Sequence, residues 1–81
     1  MRIHYTERFL KSYRTAPAQI QRTFEKQVTF LLQDIRHPSL RAKKYDEAQD
    51  LWQARVNRDW RFYFQIEGEV YHLVDIMKHP K

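Results

Sequence analysis

The chain changes its hydrophobic period once, and this change constrains the fold more than any other feature. Between Pro17 and about Arg36, apolar residues recur every three or four positions, as on one face of an α-helix. Between Trp52 and Ile66, apolar and polar residues alternate, as in half-buried strands. Because a chain of 81 residues has room for one hydrophobic core, the pattern predicts a single α+β domain spanning residues 1–81.

Local signals at the ends of these segments predict the remaining elements. Thr6 is suited to cap a first helix, Pro17 to begin a second one, and His37-Pro38 to end it. Strands are predicted at 2–5, 40–45, 52–56, 60–66 and from 70 to about 77. The predicted order is β-α-α-β-β-β-β, a helical hairpin packed on an antiparallel sheet.

Charge and cysteine content narrow the function classes. The net charge of +5 favours a polyanionic partner, either nucleic acid or an acidic protein. The absence of cysteine excludes disulfides and thiolate metal sites, so we expect a cytoplasmic protein. No apolar stretch is long enough for a membrane span, and His4 and His37 have no partner at metal-ligand spacing. We therefore expect no membrane association, no metal and no cofactor.

The alternation in the two strands at 52–56 and 60–66 sorts their side chains by face. With Trp52, Phe62 and their apolar neighbours turned towards the helices, Arg55 and Arg61 share the opposite face. Other residues expected on that face or its rim are Arg41, Lys43, Lys44, Arg58, Tyr63, Lys78 and His79. Such a set suits RNA, because cations bind and stabilise phosphate, aromatic rings stack on bases and histidine transfers protons near neutral pH.

Four segments in this order resemble the RelE/ParE superfamily of type II toxin-antitoxin toxins. They are HPSLRAKKY at residues 37–45, LWQARV at 51–56, WRFYF at 60–64 and IMKH at 76–79. The resemblance covers nearly the whole chain and implies the RelE-like fold and a cognate antitoxin, with a toxin-antitoxin hetero-oligomer. Two activities occur among such toxins: metal-independent cleavage of mRNA on the ribosome, and inhibition of DNA gyrase by ParE-like toxins through binding alone.

The resemblance also implies roles for individual residues. Arg61 matches the arginine with which RelE-like toxins stabilise the cleaved phosphate, and Arg55 matches a basic or histidine position on the preceding strand. His79 matches the C-terminal histidine of the YafQ-like branch, to which the Asp59-Trp60 pair is also similar. The sequence departs from the pattern at Gln53, which is lysine in RelE, at Met77, where glycine is usual, and in lacking the Asp and aromatic residue after the histidine.

Each of these residues also has a purely structural alternative. Arg55 and Arg61 fit solvated positions on an open sheet face. Lys43 and Lys44 fit the charges that protect an edge strand from aggregation, and His79 fits a frayed chain end. The leading hypothesis is a ribosome-dependent mRNA endonuclease. The alternatives are a gyrase inhibitor of the ParE type and an inert domain that binds only an antitoxin.

Overall fold

The computed structural model describes residues 1–80, and the predicted α+β class and order of elements are confirmed. The elements are β1 (Arg2–Tyr5), α1 (Glu7–Thr15), α2 (Ala18–Gln33), β2 (Lys43–Asp46), β3 (Leu51–Arg55), β4 (Trp60–Glu67) and β5 (Val70–Lys78). No helix within residues 1–80 combines the length and apolarity needed to cross a bilayer.

The ends of the helices follow from local hydrogen bonds. α1 begins at Glu7 because the Thr6 hydroxyl oxygen accepts the backbone N–H of Phe9 at 3.2 Å. α2 ends at Gln33 rather than near Arg36. There Asp34 adopts extended backbone, and its carboxylate accepts the Arg36 backbone N–H at 2.8 Å, which replaces the next helical turn.

The five strands form one sheet in the order β1-β5-β4-β3-β2. β1 runs parallel to β5 and the other three pairs are antiparallel, so the sheet is mixed rather than wholly antiparallel. The parallel pair joins the first strand of the chain to the last, a long-range contact on which local sequence patterns carry no information. β5 lies between β1 and β4, so it is an interior strand of the sheet.

The strand predicted at 40–45 is shifted along the chain. β2 begins at Lys43, whereas Leu40 is fully buried in the core and Arg41 takes a positive φ of 46° that a strand excludes. Between Lys44 and Asp46 the register against β3 also shifts, so the strand is short and irregular. β2 forms one edge of the sheet.

Both helices pack on one face of the sheet, where the hydrophobic core lies. At its centre the rings of Phe24 and Phe62 meet edge to face at 5.2 Å. Ala54, Phe62 and Phe64 are essentially inaccessible to solvent, and Trp52 packs against them. The predicted helix-facing side of β3 and β4 is therefore confirmed. We call the opposite side of the sheet the outer face.

Candidate nucleic-acid interface

A shallow cleft of about 300 Å³ lies on the outer face, near the turn that joins β3 to β4. We call it the cationic cleft, and its lining consists of Arg41, Lys43, Gln53, Ala54, Arg55, Arg61 and His79. The fold thus brings together five predicted site residues from different parts of the chain: Arg41, Lys43, Arg55, Arg61 and His79. The register explains this convergence, because Arg55 lies opposite Arg61 and β5 runs antiparallel beside β4.

Arg61 is held in place by backbone carbonyls. Its Nη1 atom donates to the carbonyl oxygens of Asn57 at 2.8 Å, Arg58 at 3.1 Å and Trp60 at 3.0 Å. The turn has this shape because the Asn57 side chain accepts the backbone N–H groups of Asp59 and Trp60, each at 2.9 Å. One guanidinium nitrogen is fixed in this way, while Nε and Nη2 have no hydrogen-bond partner among residues 1–80 and can donate to a ligand.

Within the part of the chain that the structure describes, no carboxylate forms a salt bridge with the arginines and the lysine of the cationic cleft. Among residues 1–80, the salt bridges involve Arg8, Arg36, Lys44 and His72, and none involves Arg41, Lys43, Arg55 or Arg61. Desolvation by the surrounding protein, and then the charges of Arg41 and Arg61, lower the pKa of Arg55. Clustered like charges without counterions destabilise the free protein and are relieved when an anion binds.

His79 enters the cleft because β-type pairing continues past the end of β5. Its backbone N–H donates to the Asp59 carbonyl oxygen at 2.6 Å, next to the pairing of Lys78 with Trp60. Alternation along the strand then turns Met77 and His79 to the outer face and Lys78 to the other side. This contact ties the imidazole-bearing segment to the turn that holds Arg61.

Two residues that the sequence analysis did not select also belong to this surface. Gln53 lines the cationic cleft, is only 5% exposed and lies opposite both Lys43 and Tyr63. Tyr45, 58% exposed, follows Lys43 by two positions, and its ring lies 5.2 Å from that of Tyr63. Tyr45 could have been predicted on this face because it lies two positions after Lys43 in the same strand. It was not selected because the strand was predicted to end at Tyr45.

Four predicted nucleic-acid contacts lie outside the cleft. Lys44 pairs with Trp52 on the helix-facing side and forms salt bridges with Asp50 and Glu47, and the hydrogen bond to Asp50 raises the pKa of Lys44. Its position fits the alternative role of a charged residue on an edge strand.

The other three are Arg58, Lys78 and Tyr63. Arg58 is exposed in the turn, where its carbonyl oxygen, rather than its side chain, contacts Arg61. Lys78 is exposed on the side of β5 opposite to His79. Tyr63 lies on the outer face as expected, but it is only 7% exposed because it packs under Tyr45. Tyr45 is therefore the aromatic residue whose ring is available for stacking.

The donor set of the cleft suits an anion and offers little to a cation. Guanidinium groups bind phosphate oxygens through two parallel hydrogen bonds, and the nearby lysine adds a point charge. Within residues 1–80 there is no cluster of three His, Asp or Glu side chains arranged to hold a metal ion. The arrangement can bind a phosphodiester, withdraw charge from it and exchange one proton with it through His79.

Comparison with solved structures places this architecture among known folds. Over 99% of this chain and 100% of the other, it superposes on the YoeB/ParE toxin from Agrobacterium tumefaciens with a TM-score of 0.81 at 12% identity. YafQ from E. coli BL21(DE3) gives 0.78 at 13% identity over 95% of this chain and 91% of that one. A chain of the intact E. coli RelBE toxin-antitoxin complex gives 0.73 at 17% identity over 98% and 96%.

Comparison of the sequence itself gives no further assignment. No family model matches the chain, and no curated protein matches it either. The likeness therefore resides in the backbone, where two helices cover one face of a five-stranded mixed sheet and leave the other face open. The resemblance found in the sequence is confirmed at the level of the fold, and the chain has the fold of the RelE/ParE toxins.

Proposed function

We propose that this protein is the toxin of a type II toxin-antitoxin system and that it cleaves mRNA on the ribosome without a metal ion. The observation that carries the proposal is the cationic cleft, in which Arg41, Lys43, Arg55 and Arg61 are free of salt bridges within residues 1–80 and His79 lies beside them. A purely solvated arginine needs no fixed geometry, whereas Arg61 has three carbonyl partners.

The proposed reaction is attack of a ribose 2′-hydroxyl on the adjacent phosphate. A bond forms between the 2′-oxygen and phosphorus, the bond from phosphorus to the 5′-oxygen breaks, and the products are a 2′,3′-cyclic phosphate and a 5′-hydroxyl. Arg61, supported by Arg55, stabilises the negative charge that develops on the phosphate oxygens. His79 donates a proton to the departing 5′-oxygen.

The composition of the cleft supports a requirement for the ribosome. The reaction needs one group to remove the 2′-hydroxyl proton and another to protonate the leaving oxygen. Of the residues lining the cationic cleft, His79 alone is of a type that exchanges protons readily near neutral pH. We assign the second proton transfer, and the alignment of the 2′-oxygen for attack, to the environment of mRNA bound on the ribosome.

The proposed partner is an antitoxin that neutralises the toxin before it reaches the ribosome. One of the structures with this fold is an intact toxin-antitoxin complex. The net charge of +5 favours an acidic segment that folds on binding and covers the cationic cleft or the helices. Competition between antitoxin and RNA for the same charges would provide the neutralisation.

A purified translation system tests the proposal. We expect the protein to cut mRNA that is engaged by ribosomes and to leave free mRNA intact. Intact ribosome-bound mRNA at a high concentration of folded protein would refute the nuclease function.

Gln53 favours one alternative function. It occupies the cleft position where the resemblance to RelE implies lysine, so the cleft has one cation fewer than that pattern. In the alternative, the protein inhibits DNA gyrase by binding, as ParE-like toxins do, and cuts no RNA. A supercoiling assay with purified gyrase separates the two, because the nuclease proposal predicts unchanged supercoiling and the alternative predicts its loss.

A further inference from the structure

A second cleft of about 190 Å³ adjoins the cationic cleft on the outer face. We call it the tyrosine cleft. Its walls include Tyr45, Leu51, Tyr63 and Met77, and Asp75 and Arg8 supply its charged groups. It therefore combines aromatic and apolar walls with a carboxylate, a composition unlike that of its neighbour.

The strand register places the two clefts side by side. Each of four strand segments contributes one residue to the cationic cleft and another residue of the same face, two positions away, to the tyrosine cleft. The four pairs are Lys43 and Tyr45, Gln53 and Leu51, Arg61 and Tyr63, and His79 and Met77. Two positions along a strand span about 6.6 Å. A nucleotide whose phosphate lies in the cationic cleft can therefore place its base in the tyrosine cleft.

The carboxylate of Asp75 lies in this second cleft with acceptor capacity to spare. Asp75 is 6% exposed; its Oδ2 accepts from Nε of Arg8 at 3.0 Å and its Oδ1 accepts the backbone N–H of Ile76 at 2.9 Å. Each carboxylate oxygen has two lone pairs, so each can accept one more hydrogen bond. Arg8 has a side chain that is 70% exposed, which places it at the rim rather than across the opening.

Tyr45 supplies a face on which a base can stack. Tyr45 as a whole is 58% exposed, and its ring rests edge to face on Tyr63, which is buried and fixes the orientation of the pair. Burial, with a smaller contribution from Tyr45, raises the pKa of Tyr63, so its hydroxyl keeps its proton as a possible donor. Aromatic residues that stack unpaired bases are the usual means by which proteins read single-stranded RNA.

We propose that the tyrosine cleft binds a guanine base, which Tyr45 stacks and Asp75 recognises through its N1–H and N2–H donors. This inference rests on the proposed function, since it names the nucleotide beside the bound phosphate. Guanine presents two adjacent donors on one edge and matches a carboxylate that only accepts. Adenine and cytosine have a ring nitrogen acceptor next to their amino group, and the single N–H of uracil lies between two carbonyl oxygens. Each of these bases would therefore place a hydrogen-bond acceptor opposite the Asp75 carboxylate, which is unfavourable because both groups only accept.

Binding of mononucleotides to the native 81-residue chain tests this inference without relying on cleavage. Chemical shifts of the ¹⁵N-labelled protein are followed during titration with guanosine 5′-monophosphate and with adenosine 5′-monophosphate. We expect the guanine nucleotide to bind at least about tenfold more tightly and to shift the signals of Tyr45, Leu51 and Met77. Equal affinities, or shifts confined to the cationic cleft, would overturn the guanine site while leaving the phosphate site in place.

Two variants separate recognition of guanine from a structural role of Asp75. Asp75→Asn should reduce the preference for guanine to near unity, because an amide presents a donor where the carboxylate accepts. Arg8→Gln is the matched control: it removes the same ion pair but keeps the acceptor, and the preference should persist. If Arg8→Gln abolishes the preference as fully as Asp75→Asn does, the carboxylate acts only as an anchor for α1 and the inference is wrong.

Tyr45→Ala keeps the inference testable if Asp75→Asn fails to fold, because Tyr45 is exposed. It should weaken binding of the guanine nucleotide roughly tenfold, and unchanged binding would contradict the stacking role. The outcomes also distinguish the two proposals. A guanine preference together with intact ribosome-bound mRNA would refute the nuclease function alone, whereas mRNA cleavage without a guanine preference would refute this inference alone.

Discussion

At the scale of single residues, the proposed binding of phosphate on the outer face depends on the fixed position of the Arg61 side chain. Three backbone carbonyls fix its Nη1 atom, and the Asn57 side chain shapes the turn that supplies them. An arginine that is already positioned before the substrate binds loses little conformational entropy on binding a phosphate. More of its interaction free energy can therefore stabilise the transition state. A lysine has no planar group to take this geometry, although it would keep the charge.

His79 has a different role, and a change there should separate chemistry from binding. We expect His79→Gln to slow cleavage of ribosome-bound mRNA by about 10²- to 10⁴-fold, because the amide of glutamine is not acidic enough to transfer a proton to the leaving oxygen. Affinity for the ribosome-mRNA complex should change little, since the cations remain. Single-turnover rates and equilibrium binding, measured on the same preparation, check this. A variant that binds weakly but cleaves at the native rate once bound would contradict the assignment.

The sequence predicts some of these residues well and others poorly, for physical reasons. Arg55 and Arg61 follow from alternation within single strands, which fixes the face of each side chain. Lys44 was expected on the outer face, but β2 begins at Lys43 and alternation turns its second residue to the other side. The burial of Tyr63 depends on Tyr45, a contact between strands that are not adjacent in the sheet.

At the scale of elements, one buried side chain joins α2 to the site. The Nε2 of Gln27 donates to the carbonyl oxygen of Arg55 at 2.8 Å and to that of Ser39 at 3.2 Å, and its Oε1 accepts from the Ser39 hydroxyl at 3.2 Å. Gln27 is only 4% exposed. The helix thus fixes both the end of β3 and the loop that precedes β2, which are two sides of the cationic cleft.

Replacing Gln27 with leucine should weaken this connection. We expect Gln27→Leu to lower the free energy of unfolding by about 1–3 kcal/mol, because two carbonyl oxygens and a hydroxyl lose their partner. Thr29→Ala, an exposed change on the same helix, serves as the control and should cost less than about 1 kcal/mol. Urea unfolding of the three proteins measures both values. Equal stability of the leucine variant and the native chain would show that the connection contributes nothing.

Elements whose signals are local were predicted closely, and those that depend on distant partners were not. The N-cap predicted at Thr6 is confirmed because a few neighbouring residues determine it. The parallel pairing of β1 with β5 depends on residues almost seventy positions apart, such as Ile3 and Tyr71. Local periodicity carries no record of such a contact, so the sheet was expected to be antiparallel throughout.

At the scale of the whole molecule, the residues that stabilise the fold and the residues proposed to bind RNA lie on opposite faces of the sheet. Its inner face carries the apolar core against both helices, and its outer face carries the cationic cleft and the tyrosine cleft. Substitutions of the exposed residues of the outer face, such as Tyr45, should therefore alter binding without unfolding the chain. The core and the position of the cleft could be predicted from the alternation of β3 and β4, whereas the tyrosine cleft required the paired strands to be seen together.

The tyrosines make the stability of the molecule sensitive to alkaline pH. Burial, and then the nearby charge of Glu25, raises the pKa of Tyr13 to about 12, and burial also raises the pKa values of Tyr5, Tyr63 and Tyr71. The folded protein therefore holds these protons more tightly than the unfolded chain, whose tyrosines titrate near about 10. This stabilisation is complete below about pH 10 and is lost as the pH rises through about 12.

Chemical unfolding at a series of pH values between about 8 and 12 tests this dependence. The native free energy of unfolding should fall across the upper part of the range. At about pH 8 the free energy of unfolding of Tyr13→Phe should be lower than that of the native chain. The reason is that the variant lacks the hydroxyl whose proton is shared between the Gln21 carbonyl oxygen and the Glu25 carboxylate. As the pH rises, its free energy of unfolding should fall less steeply. Identical slopes in the two proteins would contradict the role given to Tyr13.

The most direct test of the central claim is primer-extension mapping of mRNA ends in a translating extract. The native chain is compared with Arg61→Ala and with Arg14→Ala, which removes an exposed arginine from the last turn of α1, away from the cationic cleft. We expect new ends in register with the ribosomal A site for the native chain and for Arg14→Ala, and their loss in Arg61→Ala. New ends that persist unchanged in Arg61→Ala, or none with the native chain, would contradict a phosphate-binding nuclease site on the outer face.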